Sequence, residues 1–494
     1  MNLRLRQLGT LLERSKNRSG SQRQSILTNV TWLAFGNVMV KPLWFVLLLL
    51  TARLLGAAEF GQFMLAISLV SISSVLFEGG VDVLTIRELS SNPYKFGPFL
   101  GQTIYFKIFA GIISGAAAIA ASLILKMNWQ IVILISLASL YSLASALLTH
   151  LRAVFRAFEV LKYEAISMIL EKGAVIILCA PILLMHLGVR TYMVGYAVAY
   201  CITGLVTLRI VFAKFGIPTI RLNISYLWKN ILKPALPFAA LGLFTIIYFR
   251  SSTLILAAIT KRDDLVGYYN AGYRLVESFM LFPTIIVAPI YPFLSRNREN
   301  TERVREVLSE AFRGLLFISI SIAFPIFIFR HEVTAILYGS DYRLAADSVG
   351  LLAFTMIPIS INFAAGSLIA ALERQARSNV FVLGVTLTNV VVNYFLIKLF
   401  SVFGSAVTTV LTESLLAMCN LFIIRDYIQW PKVSRLLLKT LFPAVTACAI
   451  VYFIAGTIDF PIQVVIAELV MIGGYFSLKV ITVNDIRRLL HIPA

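Results

Sequence analysis

Fourteen stretches of about twenty apolar residues run through the chain, and no other feature constrains its fold as strongly. Their approximate limits are 26–51, 60–84, 101–125, 130–152, 164–186, 191–213, 235–259, 266–293, 308–330, 345–371, 379–399, 403–424, 437–456 and 461–481. Each is long enough to cross the roughly 30 Å hydrocarbon core of a bilayer as a helix. Lipid offers no hydrogen-bond partner for a bare backbone amide, so spans of this length must be helical. Only 14% of the 494 residues are charged and 59% are hydrophobic, whereas a soluble chain carries about 25% charged residues. The expected fold class is therefore an all-α polytopic membrane protein with about fourteen transmembrane helices.

The net charge of +19 would suggest nucleic acid in a soluble protein. Here its distribution gives a different reason. Alternate connections collect the basic residues: Arg87 and Lys95, Arg156 and Lys162, then Lys214, Arg221, Lys229 and Lys233. They continue with Arg296, Arg298, Arg303 and Arg305, with Arg374 and Arg377, and with Arg425, Lys432 and Arg435. The intervening connections are short and hold few bases: Arg53, Lys126, Arg190, Lys261 with Arg262, Arg343 and little else. Cytoplasmic loops accumulate Lys and Arg, so the pattern places both termini in the cytoplasm. Residues 1–25 read as a basic cytoplasmic tail and 482–494 as a second tail. Cys179, Cys201, Cys419 and Cys448 all lie in apolar runs without metal-ligand spacing and read as small core residues.

Two segments recur about six spans apart. RLLGAAEFGQFMLA, from Arg53, resembles ITKRDDLVGYYNAGYR, from Ile259, and VGYAVAY from Val194 resembles FGSAVTT from Phe403. An even number of spans preserves orientation, so the expected halves are parallel repeats. They are an N-terminal six-helix lobe at 26–213 and a C-terminal lobe at 235–424, joined by a basic linker at 214–234. Two extra helices, 437–481, fall outside the repeat. Two parallel bundles with a cavity between them are a transporter arrangement.

Charges inside such spans are costly and mark function by default. Lys41, Arg250 and Arg274 lie at similar expected depths, slightly outward of the midplane. Ammonium and guanidinium groups suit phosphate or diphosphate, the guanidinium bidentately. Lys41 could instead turn to carbonyls freed by Pro42, and Arg274 could pair with Glu277. Glu277, Glu78, Asp82 and Glu171 are candidates for carrying a coupling proton or sodium ion; pairing or interfacial placement is the rival account. Glu78 and Asp82 are expected one helical turn apart at the end of the second span. Asn37, Asn389 and Asn393 are candidate cavity-lining residues or interhelical hydrogen bonders. Tyr268, Tyr269 and Tyr273 could stack on sugars, and an interfacial aromatic belt would account for the first two equally well.

No HExxH, Walker A loop or nucleophile elbow is present, so the sequence does not read as an enzyme. No cofactor is implied beyond a coupling ion.

ARLLGAAEFGQF (Ala52 to Phe63), VGYYNAGYRLVE (Val266 to Glu277), ILYGSDYRLAADSVGLLAF (Ile336 to Phe354) and NVVVNYFLIKLFSVFGSAVTTVLTE (Asn389 to Glu413) resemble the polysaccharide transporter family. That family includes the Wzx-type O-antigen flippases of the multidrug/oligosaccharidyl-lipid/polysaccharide exporter superfamily. The resemblance implies a bacterial inner-membrane flippase for undecaprenyl-diphosphate-linked oligosaccharide repeat units. It also implies partnership with membrane lipids and with the glycan polymerase and chain-length machinery, and the two C-terminal helices as a groove for the lipid tail. A peptidoglycan lipid-precursor flippase shares the same charge logic. A cation-coupled multidrug exporter would favour acids over the three bases, and a membrane-embedded polymerase would need larger outer loops.

Overall fold

The computed structural model describes residues 19–219, 223–454 and 458–480. Among the described residues every regular element is helical, and twelve helices are long and apolar enough to cross a membrane. The fold separates into two compact units, Met1–Ala258 and Ile259–Ala494.

The first unit opens with α1, Ser19–Glu78, which is broken at Gly56 with φ 74° and ψ 171°. A residue with a Cβ is disfavoured in that conformation, and the chain reverses there. Trp44 and Phe63, before and after the break, both reach the ring of Tyr196, with centroids 6.0 Å and 5.6 Å away. On one unbroken helix they would lie about 28 Å apart. α1 is thus two antiparallel spans. Next come α2 (Val81–Ser91), α3 (Phe96–Ile124), α4 (Trp129–Ala157), α5 (Leu161–Leu184), α6 (Gly188–Phe215) and α7 (Lys233–Thr260). At one end, Leu84 of α2, Phe99 of α3, Val154 and Phe155 of α4 and Val211 of α6 form a closed apolar core. Other large apolar side chains, such as Phe109, Ile177 and Leu205, face outward, as lipid-facing positions should.

The second unit contains α8 (Asp263–Phe279), α9 (Leu281–Arg296), α10 (Thr301–Ile328), α11 (Arg330–Tyr338), α12 (Ala346–Ala353) and α13 (Met356–Ala371). It continues with α14 (Gln375–Ile423), α15 (Trp430–Ile454) and α16 (Phe460–Ser477). Asp263 and Asp264 occupy the first turn of α8, where carboxylates complement the helix dipole. α14 is broken at Ser401, with φ 52° and ψ −127°. Asn389 donates to Thr412 Oγ1 at 3.0 Å across this break, although the two would be about 34 Å apart on a continuous helix. Gly404 makes the tight return feasible, because a Cβ there would stand 2.1 Å from the Leu396 carbonyl oxygen. α14 is therefore also two spans. With both reversals, the twelve long helices supply the fourteen crossings expected from hydropathy.

α15 and α16 pack on α10 through Ala444, Ala447 and Val451, with Met471 and Tyr475, against Ile320 and Phe324. Left-handed turn residues also recur along the chain. Gly56, Lys126, Glu159 and His186 are answered about 210 residues later by Lys261, Gly339, Glu373 and Ser401. The two units thus share a rhythm of turns that sequence identity hardly records.

Two expectations need correction. Glu78 ends α1 and Asp82 lies in the first turn of α2, separated by left-handed Gly80 with φ 85°. They do not lie a turn apart on one helix. Tyr268 and Tyr269, expected to stack on sugars or to stand in an interfacial aromatic belt, are buried among protein side chains, as is Tyr273. Tyr269 bonds Thr409 at 3.0 Å and stacks on Tyr273, and Tyr268 meets the ring of Tyr342.

Candidate functional site

Three helices of the first unit bring donors to one carboxylate. Glu171 and Lys172 sit at the midpoint of α5, Arg152 lies in the last turns of α4, and Tyr200 lies near the middle of α6. Glu171 Oε2 is 2.7 Å from Arg152 Nη1, and Oε1 is 2.5 Å from Lys172 Nζ. The Tyr200 hydroxyl donates to Oε1 at 2.7 Å. Neighbours on a helix point about 100° apart, so Lys172 must curl back to reach Glu171. It does so across the face of Trp44, with its ammonium 3.9 Å from the ring centroid, a distance suited to a cation–π contact. Two cations to one anion leave a surplus positive charge at mid-span.

The surroundings hold this arrangement. Arg152 donates through Nε to Ser167 Oγ at 3.0 Å and through Nη2 to the Ser167 carbonyl at 2.8 Å. Ser167 in turn meets Thr207 Oγ1 at 3.0 Å. Tyr141 lies edge-on to Tyr200, 4.7 Å between centroids, and Tyr196 closes the aromatic group. Lys41 lies one turn before Trp44 on α1, so the two share a helix face; Lys41 is half-buried. Arg250, on α7, is half-buried as well. The first unit therefore gathers Arg152 and Lys172 around Glu171, with Lys41 on the same face of α1 as Trp44.

A second polar network lies at the junction of α2, α3 and α4. His150 is fully buried, with Nδ1 2.7 Å from Asp82 Oδ1 and Nε2 2.8 Å from Thr103 Oγ1. A carboxylate only accepts, so Nδ1 carries the proton toward Asp82. Lys107 Nζ reaches the same carboxyl group at 3.3 Å. Asp82 is thus engaged from two helices. The side chains of Glu78 and Asn37 lie outside the described residues.

In the second unit Arg274 is buried and forms an ion pair with Glu277, three residues on. Asn389 and Asn393 share a buried face, with Asn393 donating to Asn389 Oδ1 at 3.0 Å. The bond from Asn389 to Thr412 joins the two arms of α14. A neighbouring chain links Asn362 to Glu413 at 3.0 Å, Asn420 to Asn362 at 3.0 Å and Ser378 to Asn420 at 3.0 Å.

Arg152, Lys172, Tyr200 and His150 are not among the residues that the sequence singled out. Arg152 stands four residues before Arg156 near a span end, where basic residues are ordinary. A stronger signal was available at Lys172: a lysine at the centre of an apolar span with an acid beside it.

Residues 26–298, more than half of the chain, match the family described as polysaccharide biosynthesis protein. The chain belongs to that family. It is 27% identical over 150 residues to the probable low-salt glycan biosynthesis flippase Agl15 of Haloferax volcanii, covering 30% of this chain and 32% of that one. It is 29% identical over 178 residues to the probable flippase AglR of the same organism, covering 33% and 35%. The chain thus spans about a third of the length of these two relatives. Among solved structures, the lipid II flippase MurJ in an inward closed conformation superposes with a TM-score of 0.75 at 13% identity, covering 93% of this chain and 99% of that one. An inward-facing multidrug resistance MATE transporter of the MOP superfamily gives 0.64 at 14% identity, covering 83% and 98%. At these identities the likeness is one of fold.

Proposed function

We propose that the protein is a flippase that carries undecaprenyl-diphosphate-linked oligosaccharide repeat units across the cytoplasmic membrane by alternating access. In this reading it is a transporter and not an enzyme, both termini are cytoplasmic, and the exported units feed a surface-glycan polymerase. The observation that carries the reading is the surplus of cation over anion around Lys172, at the midpoint of α5. A charge held in the hydrocarbon region is expensive unless it serves a pathway, and a diphosphate is the headgroup that lysine and arginine together suit. A pocket for cationic drugs would need the opposite balance. The family match and the glycan-flippase relatives support the substrate class.

The test is export in a strain that depends on this protein for its surface glycan. Lys172→Met, Arg250→Ala and Lys41→Ala are expected to abolish or cut export at least tenfold, with normal amounts of protein in the membrane. Wild-type export from Lys172→Met would defeat the assignment of this cluster to the transported diphosphate, and unchanged surface glycan in a strain lacking the protein would defeat the reading itself. Lipid-linked repeat units should accumulate on the cytoplasmic leaflet of the defective strains, and their chemical identity names the glycan.

A further inference from the structure

We propose that Glu171 is a resident stand-in for a ligand phosphate, and that Arg152, Lys172 and Tyr200 form a cradle from which a diphosphate displaces it. The proposal rests on the flippase reading for its physiological ligand, but the cradle itself is argued from geometry alone.

The donors do not need Glu171 to stay in place. Arg152 is fixed by its two bonds to Ser167, which α6 supports through Thr207. Its Nη1 is the edge left for an anion, and Glu171 occupies it at 2.7 Å. Lys172 has a second hold independent of the carboxylate, its ammonium lying 3.9 Å from the Trp44 ring centroid. Tyr200 is wedged between Tyr141 and Tyr196, at 4.7 Å and 5.2 Å. Removing the carboxylate would leave three donors from three helices aimed at one point, with two positive charges. That is the donor set of a phosphate site, since guanidinium and ammonium only donate and the Tyr200 hydroxyl gives its one proton to the anion while accepting from Lys172 Nζ at 3.3 Å.

Glu171 then has a defined role in the unliganded protein. Two uncompensated cations at mid-span would be costly, and the carboxylate halves that cost. A diphosphate brings more negative charge and more acceptor oxygens than a carboxylate, so it can take the same donors while Glu171 turns away. Tyr200 also lines an apolar cavity of about 330 Å³ together with Ile104, Leu140, Leu147 and Gly204. A ligand with a hydrocarbon chain beside its phosphates would meet compatible surface there. The shared chemistry is the diphosphate; a lipid or a free anion could bear it.

The experiment is equilibrium binding to the purified full-length protein in nanodiscs, with farnesyl diphosphate and inorganic pyrophosphate as separate probes. Glu171→Gln keeps the shape and removes the competing charge. It is expected to bind about tenfold tighter than the wild type, the scale of one charge-assisted hydrogen bond. Lys172→Met and Arg152→Gln are expected to lose binding at least tenfold, and Ser167→Ala in the Glu171→Gln background to erase part of the gain. A gain limited to farnesyl diphosphate identifies a lipid-borne ligand; an equal gain with pyrophosphate identifies recognition of the phosphates alone. Glu171→Gln and Glu171→Ala that both bind no tighter than wild type overturn the proposal, as does a Lys172→Met variant with undiminished affinity. Export assays on the same variants separate the two readings. Normal glycan export in Lys172→Met alongside tighter diphosphate binding in Glu171→Gln takes the cradle out of the transport path and leaves its diphosphate binding standing, whereas unchanged surface glycan in a strain lacking the protein ends the flippase reading alone. Lost export without any gain in Glu171→Gln does the reverse.

Discussion

His150 and Asp82 are bound at 2.7 Å, joining α4 to α2 through a histidine that has no exposed surface. The other ring nitrogen is taken by Thr103 of α3 at 2.8 Å, so one side chain ties three helices. Replacing it with an apolar residue would strand a carboxylate beside Lys107 and leave a buried hydroxyl without this partner. His150→Phe is therefore expected to cost about 2–5 kcal/mol. Asp82→Asn keeps an oxygen for His150 but loses the charge facing Lys107, and it should cost less. Thermal unfolding in detergent, followed by monodispersity on size exclusion, orders the two variants. A His150→Phe protein as stable as wild type would show that the network does not hold the unit together.

The reversal in α14 gives a pair of substitutions with opposite expected signs. A Cβ at Gly404 would stand 2.1 Å from the Leu396 carbonyl oxygen, while one at Gly384, on the earlier arm, meets nothing within 4 Å. Gly404→Ala must push the arms apart, at about 1–3 kcal/mol. Gly384→Ala gains helix propensity of about 1 kcal/mol. The same melting assay reads both. Equal effects at the two positions would contradict the tight return.

Arg274 and Glu277 present a choice between binding and pairing. The ion pair is formed, and Glu277 is the more exposed partner, with 28% of its side chain open against 9% for Arg274. If the arginine serves the transported anion, Arg274→Ala loses export and removing Glu277 as well does not restore it. We expect that outcome, with at least a tenfold loss in both strains measured as surface glycan per cell. Recovery in the Arg274→Ala, Glu277→Ala double variant would assign the arginine to structure alone.

The number of spans was legible because lipid imposes one rule on every crossing, and an apolar run of sufficient length satisfies it whatever its neighbours are. The breaks at Gly56 and Ser401 were legible for the same reason: two spans with little between them must turn. Partners were harder to read. Asn389 and Asn393 share a face as their spacing of four required, but nothing in that spacing names Thr412 on the returning arm. Glu171 was conspicuous as an acid in a span, whereas Arg152 looked like an ordinary basic residue near a span end. Their meeting depends on how α4 packs against α5, and tertiary packing of this kind leaves no periodic trace. His150 was passed over for the same reason, since its partners come from α2 and α3.

Sidedness in the membrane follows from charge rather than from shape. The turns that carry Arg262 and Arg343 belong to the alternate set of short connections, which as a whole holds few bases, while those with Arg303 and Arg377 belong to the basic set. Lys and Arg are held on the cytoplasmic side during insertion, so reporters fused near Arg262 and Arg343 should be active outside the cytoplasm. Fusions near Arg303 and Arg377 should be active only inside. The breaks sharpen this test, because each long broken helix must return to the side from which it started. A reporter inserted at Ser401 is expected outside and one after Ile423 inside. If α14 crossed only once, the segment after Ile423 would lie outside instead. A cytoplasmic reporter signal at Ser401, with Arg303 also cytoplasmic, would overturn the assigned topology of the second unit.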